Sequence, residues 1–579
     1  MSVAMSEDSL LTSRFDSQGF DAFPLASTGP AADAPQAVTY LNADARTGTA
    51  DNGKVSFTID QAAVQLTRES NGWGGGGGHA TTVTYAYRAD APSSMPSDTG
   101  GFSQFNSAQI TETELALKAW SDVANITFVR AGSGTSGSEA YSDNATILLG
   151  NYSTGEAGAS AFTYFPGSRS SFSSSGDVWV NASLGYNANP VVQGYGGMVL
   201  VHELGHAIGL SHPSDYNAGA DVTITYASDA SYFEDSRQYT VMSYFGGFNT
   251  GADLPGYSAA PLLDDIAAAQ LLYGPNMSTR TGDTVYGFHS NTDEPWLQTS
   301  SESNKLQVAI WDAGGNDTLD VSGYSDNQKI DLRQGFFSDV GGQTGNVAIA
   351  KGTDIENAVS GTGDDSITGN ALNNSLAGGG GNDTIMGGQG ADTITDPTGH
   401  HYLRGEDGND SVLGGSGFDD INGNAGNDTI DGGSGGSDWL VGGKDNDQIT
   451  AHTGQNLLYG NLGNDTLIAG SGGDVLRGGQ GDDSIAGGAG NDWISGDRGN
   501  DTLSGGAGAD TFHTFSGAGV DRVLDFHVGE GDKVQVDAGT TYAVNQVGAD
   551  TVVDMGGGDQ LILVGVQKAS LGAGWIFTA

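Results

Sequence analysis

The chain has 579 residues, enough for two to four folded units at usual domain sizes of about 100–200 residues. Seventy acidic residues stand against 21 basic ones, a net charge of −49 that sets the chain against nucleic acid and anionic lipid as partners. There is no cysteine, which excludes disulfides, thiolate metal sites and thiol nucleophiles.

Residues 1–45, rich in Ala, Ser, Asp and Pro with little periodicity, read as a mobile leader or propeptide. The opening MSVAMSEDSLLTSRFDSQGF lacks the basic start and the apolar run of about 7–15 residues of a Sec signal peptide. No stretch approaches the roughly 18 apolar residues of a membrane span. Residues 46–275 read as one domain, in which strand and helix patterns alternate from Val55 to Phe245. TTVTYAYR (81–88), ITFVR (126–130) and ATILLGNY (145–152) read as strands. A helix is expected over TETELALKAWSDVA (111–124), opened by its Thr/Glu start, with Leu115, Ala119 and Val123 at helical spacing. A second is expected over NPVVQGYGGMVLVHELGHAIGL (189–210), with Asn189 and Pro190 as its start signal. A third runs over PLLDDIAAAQLLYG (261–274), from Pro261 to Gly274. Residues 276–513 hold short strands and then repeats, and 514–579 form a last β segment.

HELGHAIGLSH (202–212) carries the chemistry. Residues four apart share a helix face, so His202 and His206 can offer two imidazoles to one ion with Glu203 beside them. His212 joins them only if the helix breaks, and Gly209 is the residue that can take positive φ there. Three neutral imidazoles suit one catalytic Zn²⁺ with an open position for water, and Glu203 stands ready to take the proton. A closed, inert zinc site is the bland alternative, but such a site has no use for Glu203.

From Ser360 the chain falls into nine-residue units of the form G-G-x-G-x-D-x-U-x, such as GGGGNDTIM (378–386), GGQGADTIT (387–395), GGQGDDSIA (478–486) and GGAGNDWIS (487–495). That is the calcium-binding RTX pattern. The register holds to Gly432, slips by one residue in GGSGGSDWLV (432–441), and resumes to His513. A flexible linker has no need of the apolar residue recurring at Ile367, Ile385, Ile394, Ile421, Ile430, Ile485 and Ile494. Residues 360–513 carry 23 Asp or Glu against four Lys or Arg, so calcium outside the cell is expected to fold the segment. The expected ligands are Asp383, Asp392, Asp410, Asp419, Asp428, Asp447, Asp465, Asp483, Asp492 and Asp501. Two units make one turn of a roll, so odd and even units line opposite edges. The degenerate units, the fifth, the ninth with its insertion and the eleventh, are all odd, which predicts a calcium row interrupted on that edge alone.

His202, Glu203, His206, Gly209 and His212 spell the HExxHxxGxxH of the metzincin metallopeptidases, and TVMSYF (240–245) resembles their Met-turn. With SDVANITF (121–128), APLLDDIAAAQLLYG (260–274) and STRTGDTVYGF (278–288), the chain resembles the serralysin branch from about residue 50 nearly to its end. Phe245 stands where that family usually has tryptophan. The resemblance implies an α/β metzincin protease domain followed by an all-β parallel β-roll, as a secreted zinc endopeptidase of broad specificity. It implies a structural Met242 and a Tyr244 that ligates zinc at rest and later steadies the oxyanion; taken alone, the two would be plain core and plain surface. It makes ATILLGNY the edge strand to which a peptide adds. It adds calcium loops at Arg280, Gly282 and Thr284, at Asp312, Gly314, Gly315 and Asp317, and at Asp354 and Glu356. It also implies protein or peptide substrates, type I secretion machinery reading a C-terminal signal, a proteinaceous inhibitor and a monomeric state. The last residues, WIFTA, depart from the acidic and three apolar residues with which the family often ends.

Other patterns carry nothing. GSGTSG (132–137) imitates a dinucleotide loop but leads into a strand, and GGSGG (432–436) imitates a lipase elbow inside a repeat. His79, His400, His401 and His452 lack partners at ligand spacing and are expected on the surface. The rival reading is a non-enzymatic RTX adhesin or surface-layer protein on a relict protease fold, which would be expected to lose Glu203 first.

Overall fold

The computed structural model describes residues 20–24, 39–96, 99–155, 159–167, 175–217 and 223–579. Of the leader expected over 1–45, residues 1–19 and 25–38 lie outside these described residues. Two compact units divide the chain. The first takes Met1–Asp317 and Arg333–Ile355; the second takes Thr318–Leu332 and Glu356–Ala579. The first unit thus runs past the 275/276 boundary read from sequence, because the following segment is bonded back to it. Thr279 Oγ1 donates to Asp122 O at 2.6 Å, and Arg280 Nη1 to Asp122 Oδ2 at 2.7 Å.

In chain order the first unit contains β1 (Phe20–Pro24), α1 (Ile59–Leu66), β2 (Thr81–Tyr87), β3 (Thr99–Gly100), α2 (Ser107–Val123), β4 (Ile126–Arg130), β5 (Ile147–Tyr152), β6 (Thr154–Gly155), β7 (Ala159–Tyr164) and β8 (Val178–Asn181). It continues with α3 (Gly185–Ala188), α4 (Tyr195–Ile208), α5 (Tyr226–Asp229) and α6 (Leu263–Tyr273). Six strands form one sheet in the order β1-β7-β8-β5-β2-β4. β4, β2, β5 and β8 run parallel, while β7 is antiparallel to β8 and β1 to β7. This corrects the reading of ATILLGNY as an edge strand. β5 is paired on both sides, by β2 and β8, and offers no free backbone edge to a peptide.

Helix starts also differ from the sequence reading. α2 opens at Asn106, whose side chain accepts from Gln109 N while Gln109 Oε1 accepts from Asn106 N, each at 3.0 Å. Asn189 ends α3 instead of opening α4. Gln193, at φ 58°, then turns the chain, and α4 begins at Tyr195. Its first turn needs glycine for closeness: a Cβ on Gly196 would lie 2.1 Å from Tyr186 O, and one on Gly197 2.5 Å from Val191 O. α4 is buried along nearly its whole length, and Trp120 of α2 ties the two helices by donating Nε1 to Val201 O at 3.0 Å. Among the described residues no helix is long and apolar enough to cross a membrane.

The repeats of the second unit form parallel strands in two sheets, shared out by parity. Odd units pair Ile367, Ile385, Leu403, Ile421, Leu440, Leu458, Leu476, Ile494 and Phe512 in succession within a 12-stranded sheet. Even units pair Leu376, Ile394, Val412, Ile430, Ile449, Leu467, Ile485 and Leu503 in the other. All these side chains are buried, a continuous apolar stack that no linker would make. The extra residue of the ninth unit is taken up in its turn, at Gly435 and Gly436 with φ of 97° and 74°, and parity is kept. Residues 514–579 continue the roll: Lys533–Val536 and Ile576–Thr578 extend the first sheet, Val520–Val523 and Asp559–Leu563 the second.

Arg46, directly after the expected leader, is fully buried. Its Nη1 and Nη2 donate to the two carboxylate oxygens of Asp264, each at 2.8 Å, and Nε donates to Phe57 O at 2.9 Å. Arg46→Ala strands the Asp264 carboxylate in the interior, and equilibrium denaturation of the full chain should register a loss of about 3–5 kcal/mol in the first unit.

Candidate metal centre

The three histidines of the motif meet inside the first unit. His202 Nε2 lies 3.0 Å from His206 Nε2, and His212 Nε2 lies 3.2 Å from each. None of these contacts is a hydrogen bond, because each ring spends its proton on the other nitrogen. Nδ1 of His202, His206 and His212 faces the carbonyl oxygens of Val241 (2.8 Å), Leu210 (2.7 Å) and Tyr216 (3.0 Å). A carbonyl only accepts, so each Nδ1 carries the proton and each Nε2 turns a bare lone pair to the common point. Burial first, then the two neighbouring imidazoles, holds His202 well below the usual imidazole range and keeps it neutral. Three lone pairs converging in a buried site repel unless a cation stands between them. Their spacing approaches the edge of about 3.3 Å that a tetrahedron of zinc–nitrogen bonds of about 2.0–2.1 Å would have. The donor set therefore fits the metal.

Local backbone geometry makes the convergence. Gly209 takes φ 110° as α4 ends, and Leu210 N returns to Gly205 O at 2.9 Å, which swings His212 back over the helix. Beneath α4, Met242 is fully buried, and a Cβ on Gly205 would meet its Sδ at 2.5 Å. Tyr244 is buried beside the cluster, its ring centroid 4.5 Å from that of His212 and 6.2 Å from that of His202. Glu203 is fully buried, and its Oε2 accepts from Thr163 Oγ1 of β7 at 2.6 Å.

Three supporting residues escaped the sequence reading. Thr163 aims Glu203. Asp265 accepts from Thr240 Oγ1 (2.5 Å), Val241 N (2.7 Å) and Leu262 N (2.9 Å), fixing the carbonyl that holds His202. Asp235 accepts from the hydroxyls of Ser214, Tyr216 and Ser243, each at 2.7 Å, tying the His212 loop to the turn that carries Met242. Burial lifts the carboxyls of Asp235 and Asp265 to about 6 and about 7, while these hydrogen bonds pull them back. No motif marks a lone Thr or Asp for such work.

Comparison with known proteins matches this architecture. Residues 101–236 fit the family model "Matrixin", and residues 275–562 fit "Peptidase M10 serralysin C terminal". The chain is 46% identical over 336 residues to "Metalloprotease AprA" of Pseudomonas entomophila (strain L48), covering 56% of this chain and 67% of that one. It belongs to the serralysin family. "Metallopeptidase AprA" of Pseudomonas marginalis and "Serralysin C" of Dickeya chrysanthemi are each 46% identical, over 327 and 321 residues. Each of these matches covers 55% of this chain and, respectively, 66% and 65% of the relative, just under two thirds of its length.

In this serralysin the residues expected to hold calcium fall into two kinds of place. Around Asp317, Thr284 N donates to Asp317 Oδ1 at 2.8 Å, Thr284 Oγ1 to Gly282 O at 2.9 Å, and Gly314 N to Asp312 Oδ1 at 2.7 Å. A Cβ on Gly315 would lie 2.7 Å from both Asp317 Oδ1 and Gly282 O. Arg280, at φ 46°, adjoins this turn. Asp354, exposed, accepts from Gln334 Nε2 at 2.7 Å, and the Glu356 carbonyl accepts from Asn374 Nδ2 at 2.9 Å.

The repeat aspartates form ladders. In each, Oδ1 accepts the amide N–H of the sixth-place residue two units earlier: Asp392 N donates to Asp410 Oδ1, Asp465 N to Asp483 Oδ1 and Asp483 N to Asp501 Oδ1, all at 2.8 Å and 18 residues apart. Across the insertion the step is 19, from Asp419 to Asp438 and from Asp428 to Asp447. The other oxygen, Oδ2, is buried with no hydrogen-bond partner in Asp383, Asp392, Asp410, Asp419, Asp428, Asp447, Asp465, Asp483, Asp492 and Asp501. Asp438, Asp474 and Asp510 stand the same way and were missed in the sequence: the insertion displaces Asp438, Asp474 lies in a repeat that lacks its first glycine, and Asp510 holds the sixth place of a full repeat, GGAGADTFH (505–513). Orphaned carboxylate oxygens in columns fit an oxygen-coordinated cation such as calcium.

Burial, opposed by the ladder amides, pushes the carboxyls of Asp447 and Asp483 up to about 8 and those of Asp428 and Asp438 to about 7. A raised carboxyl means that the metal-free folded roll holds protons that the unfolded chain releases. That stability is complete below about pH 4 and is lost as pH rises through about 7–8. In chelator, circular dichroism melts should give the second unit a higher Tm at pH 5 than at pH 8, and calcium should remove the advantage of acid by replacing the protons. Metal-free melting that is flat over this range would contradict the assignment.

Proposed function

We propose that this serralysin is a secreted, calcium-stabilised zinc endopeptidase acting on protein substrates with broad specificity. One observation carries the reading: the Nε2 atoms of three histidines converge within 3.0–3.2 Å of one another, and Thr163 holds the fully buried carboxylate of Glu203, next to His202 in the chain, through one oxygen. His202, His206 and His212 would hold one zinc ion, with Tyr244 as its further ligand at rest. Bound there, zinc supplies a Lewis acid that polarises a peptide carbonyl and acidifies water. Glu203 takes the proton of the attacking water and later hands it to the leaving amine, its orientation set by Thr163. Tyr244 donates its phenol to the oxyanion. A relict fold on an adhesin has no reason to keep Glu203 oriented in this way. Calcium at the repeat aspartates and at the turn around Asp317 keeps the chain folded outside the cell, after export by type I machinery that reads its C-terminal region.

The edge used by substrate is read from β7. Phe20–Pro24 lies antiparallel on it, with Asp21 opposite Thr163, the residue that holds Glu203. A substrate strand that takes the place of β1 passes the same carboxylate, so the leader must leave first.

Glu203→Gln should keep zinc, measured by elemental analysis, and lower kcat/KM on casein roughly 10²–10⁴-fold. Near-normal turnover by the zinc-loaded variant would sink the mechanism. Tyr244→Phe should lower kcat by about 10²-fold with KM little changed; a change confined to KM would remove the phenol from the oxyanion step.

A further inference from the structure

The fifth repeat, DPTGHHYLR (396–404), departs from the pattern at three places: Asp396 and Pro397 stand at the first and second positions and His401 at the sixth. His401 is not on the surface, as its lack of a partner in sequence had suggested. It is 2% exposed, whereas His79, His400 and His452 are exposed as expected. Asp396 is fully buried, and Asp383, two units earlier on the same edge, is 1% exposed.

These three side chains crowd one point. His401 Nδ1 lies 3.1 Å from Asp396 Oδ2, and a Cβ on Gly378 would fall 2.2 Å from Asp396 Oδ2 and 2.6 Å from Asp383 Oδ2. Ligand atoms of all three lie within 4.8 Å of one another; among the described residues the only other such group is the His202, His206, His212 centre. Neither oxygen of Asp396 accepts a hydrogen bond, nor does Asp383 Oδ2. Two buried carboxylates this close repel one another, and a cation between them would offset both charges.

The donor set separates this point from its neighbours. Elsewhere on the ladder the sixth-place aspartate uses Oδ1 for the earlier amide and turns Oδ2 inward. Here His401 Nδ1 takes the amide of Asp383 at 3.3 Å, the longest rung on an edge whose other rungs run from 2.7 to 3.1 Å. His401 Nε2, also buried without a hydrogen-bond partner, lies 4.0 Å from Asp419 Oδ1, and Asp396 supplies a carboxylate from the first position. The result replaces an all-oxygen set by two carboxylates and a nitrogen whose amide contact is weak. Calcium favours oxygen alone, while imidazole with carboxylate suits a first-row transition ion.

We propose that Asp383, Asp396 and His401 form a site for a transition-metal dication of the zinc class, separate from the catalytic centre and taking the place of calcium at this one point of its column. The probe is zinc itself, offered to the full chain in a large excess of calcium, with both metals counted per chain by elemental mass spectrometry. His401→Asp restores the residue used by most other repeats, and its calcium-dependent circular dichroism should match that of the unaltered chain. The unaltered protein should retain one zinc ion more per chain than either His401→Asp or Asp396→Asn, and His401→Asp should gain calcium instead. With cobalt in place of zinc, both variants should lose part of the visible d–d absorption, an independent readout. Equal zinc in all three proteins, an additional ion that proves to be calcium, or loss from His401→Asp with Asp396→Asn unchanged would each overturn the proposal.

Discussion

A single backbone hydrogen bond aims nearly every candidate ligand in this protein. Each histidine of the triad spends Nδ1 on a carbonyl, and each repeat aspartate spends Oδ1 on an amide. Imidazole and carboxylate both have two polar atoms, so fixing one fixes the direction of the other. What remains is a converging set of lone pairs or negative oxygens that the chain alone cannot neutralise. The two units differ in fold but reach this state by the same route, one through a helix that ends at a left-handed glycine, the other through stacked turns. The direction of each candidate ligand is set by backbone geometry before it is set by the side chain.

How much of this is legible in the sequence depends on how local the signal is. The offsets of His202, Glu203, His206 and His212, with Gly209 between, sit within eleven residues, and the chain there leaves little choice of geometry. The repeats are equally plain, because nine-residue periodicity and a buried apolar place jointly require stacked turns. Strand order is another matter. ATILLGNY has the composition of a strand, but whether it lies inside a sheet depends on partners around Thr81–Tyr87 and Val178–Asn181, which no local pattern reveals.

The supporting shell was illegible for the same reason. Thr163, Asp235 and Asp265 each act through contacts that include residues 8 to 40 positions away, and Thr and Asp are too common to draw notice by themselves. The fifth repeat misleads more actively. Read one unit at a time, DPTGHHYLR looks decayed, with two glycines and an aspartate lost. Read across the stack, its first residue fills the place left by its sixth, and the buried polar atoms of Asp383, Asp396 and His401 belong to one cluster. Helix ends show a milder form of the problem: Asn189 and Pro190 make a fair start signal, yet the close approach at Gly196 and Gly197 fixes where α4 can begin.

Parity in the roll restricts how its length can change over generations. Odd units feed one sheet and even units the other, and each strand pairs with the strand two units on. Gain or loss of a single nonapeptide would exchange the two faces for everything downstream, setting each later strand beside neighbours from the opposite sheet. A pair of nonapeptides, by contrast, adds or removes one full turn and leaves every later contact as it was. The odd residue at Gly435–Gly436 escapes this rule because a turn can bulge without reassigning a strand. Inheritance of such a domain therefore favours duplications and deletions in double steps, so that related chains should differ in roll length by whole turns.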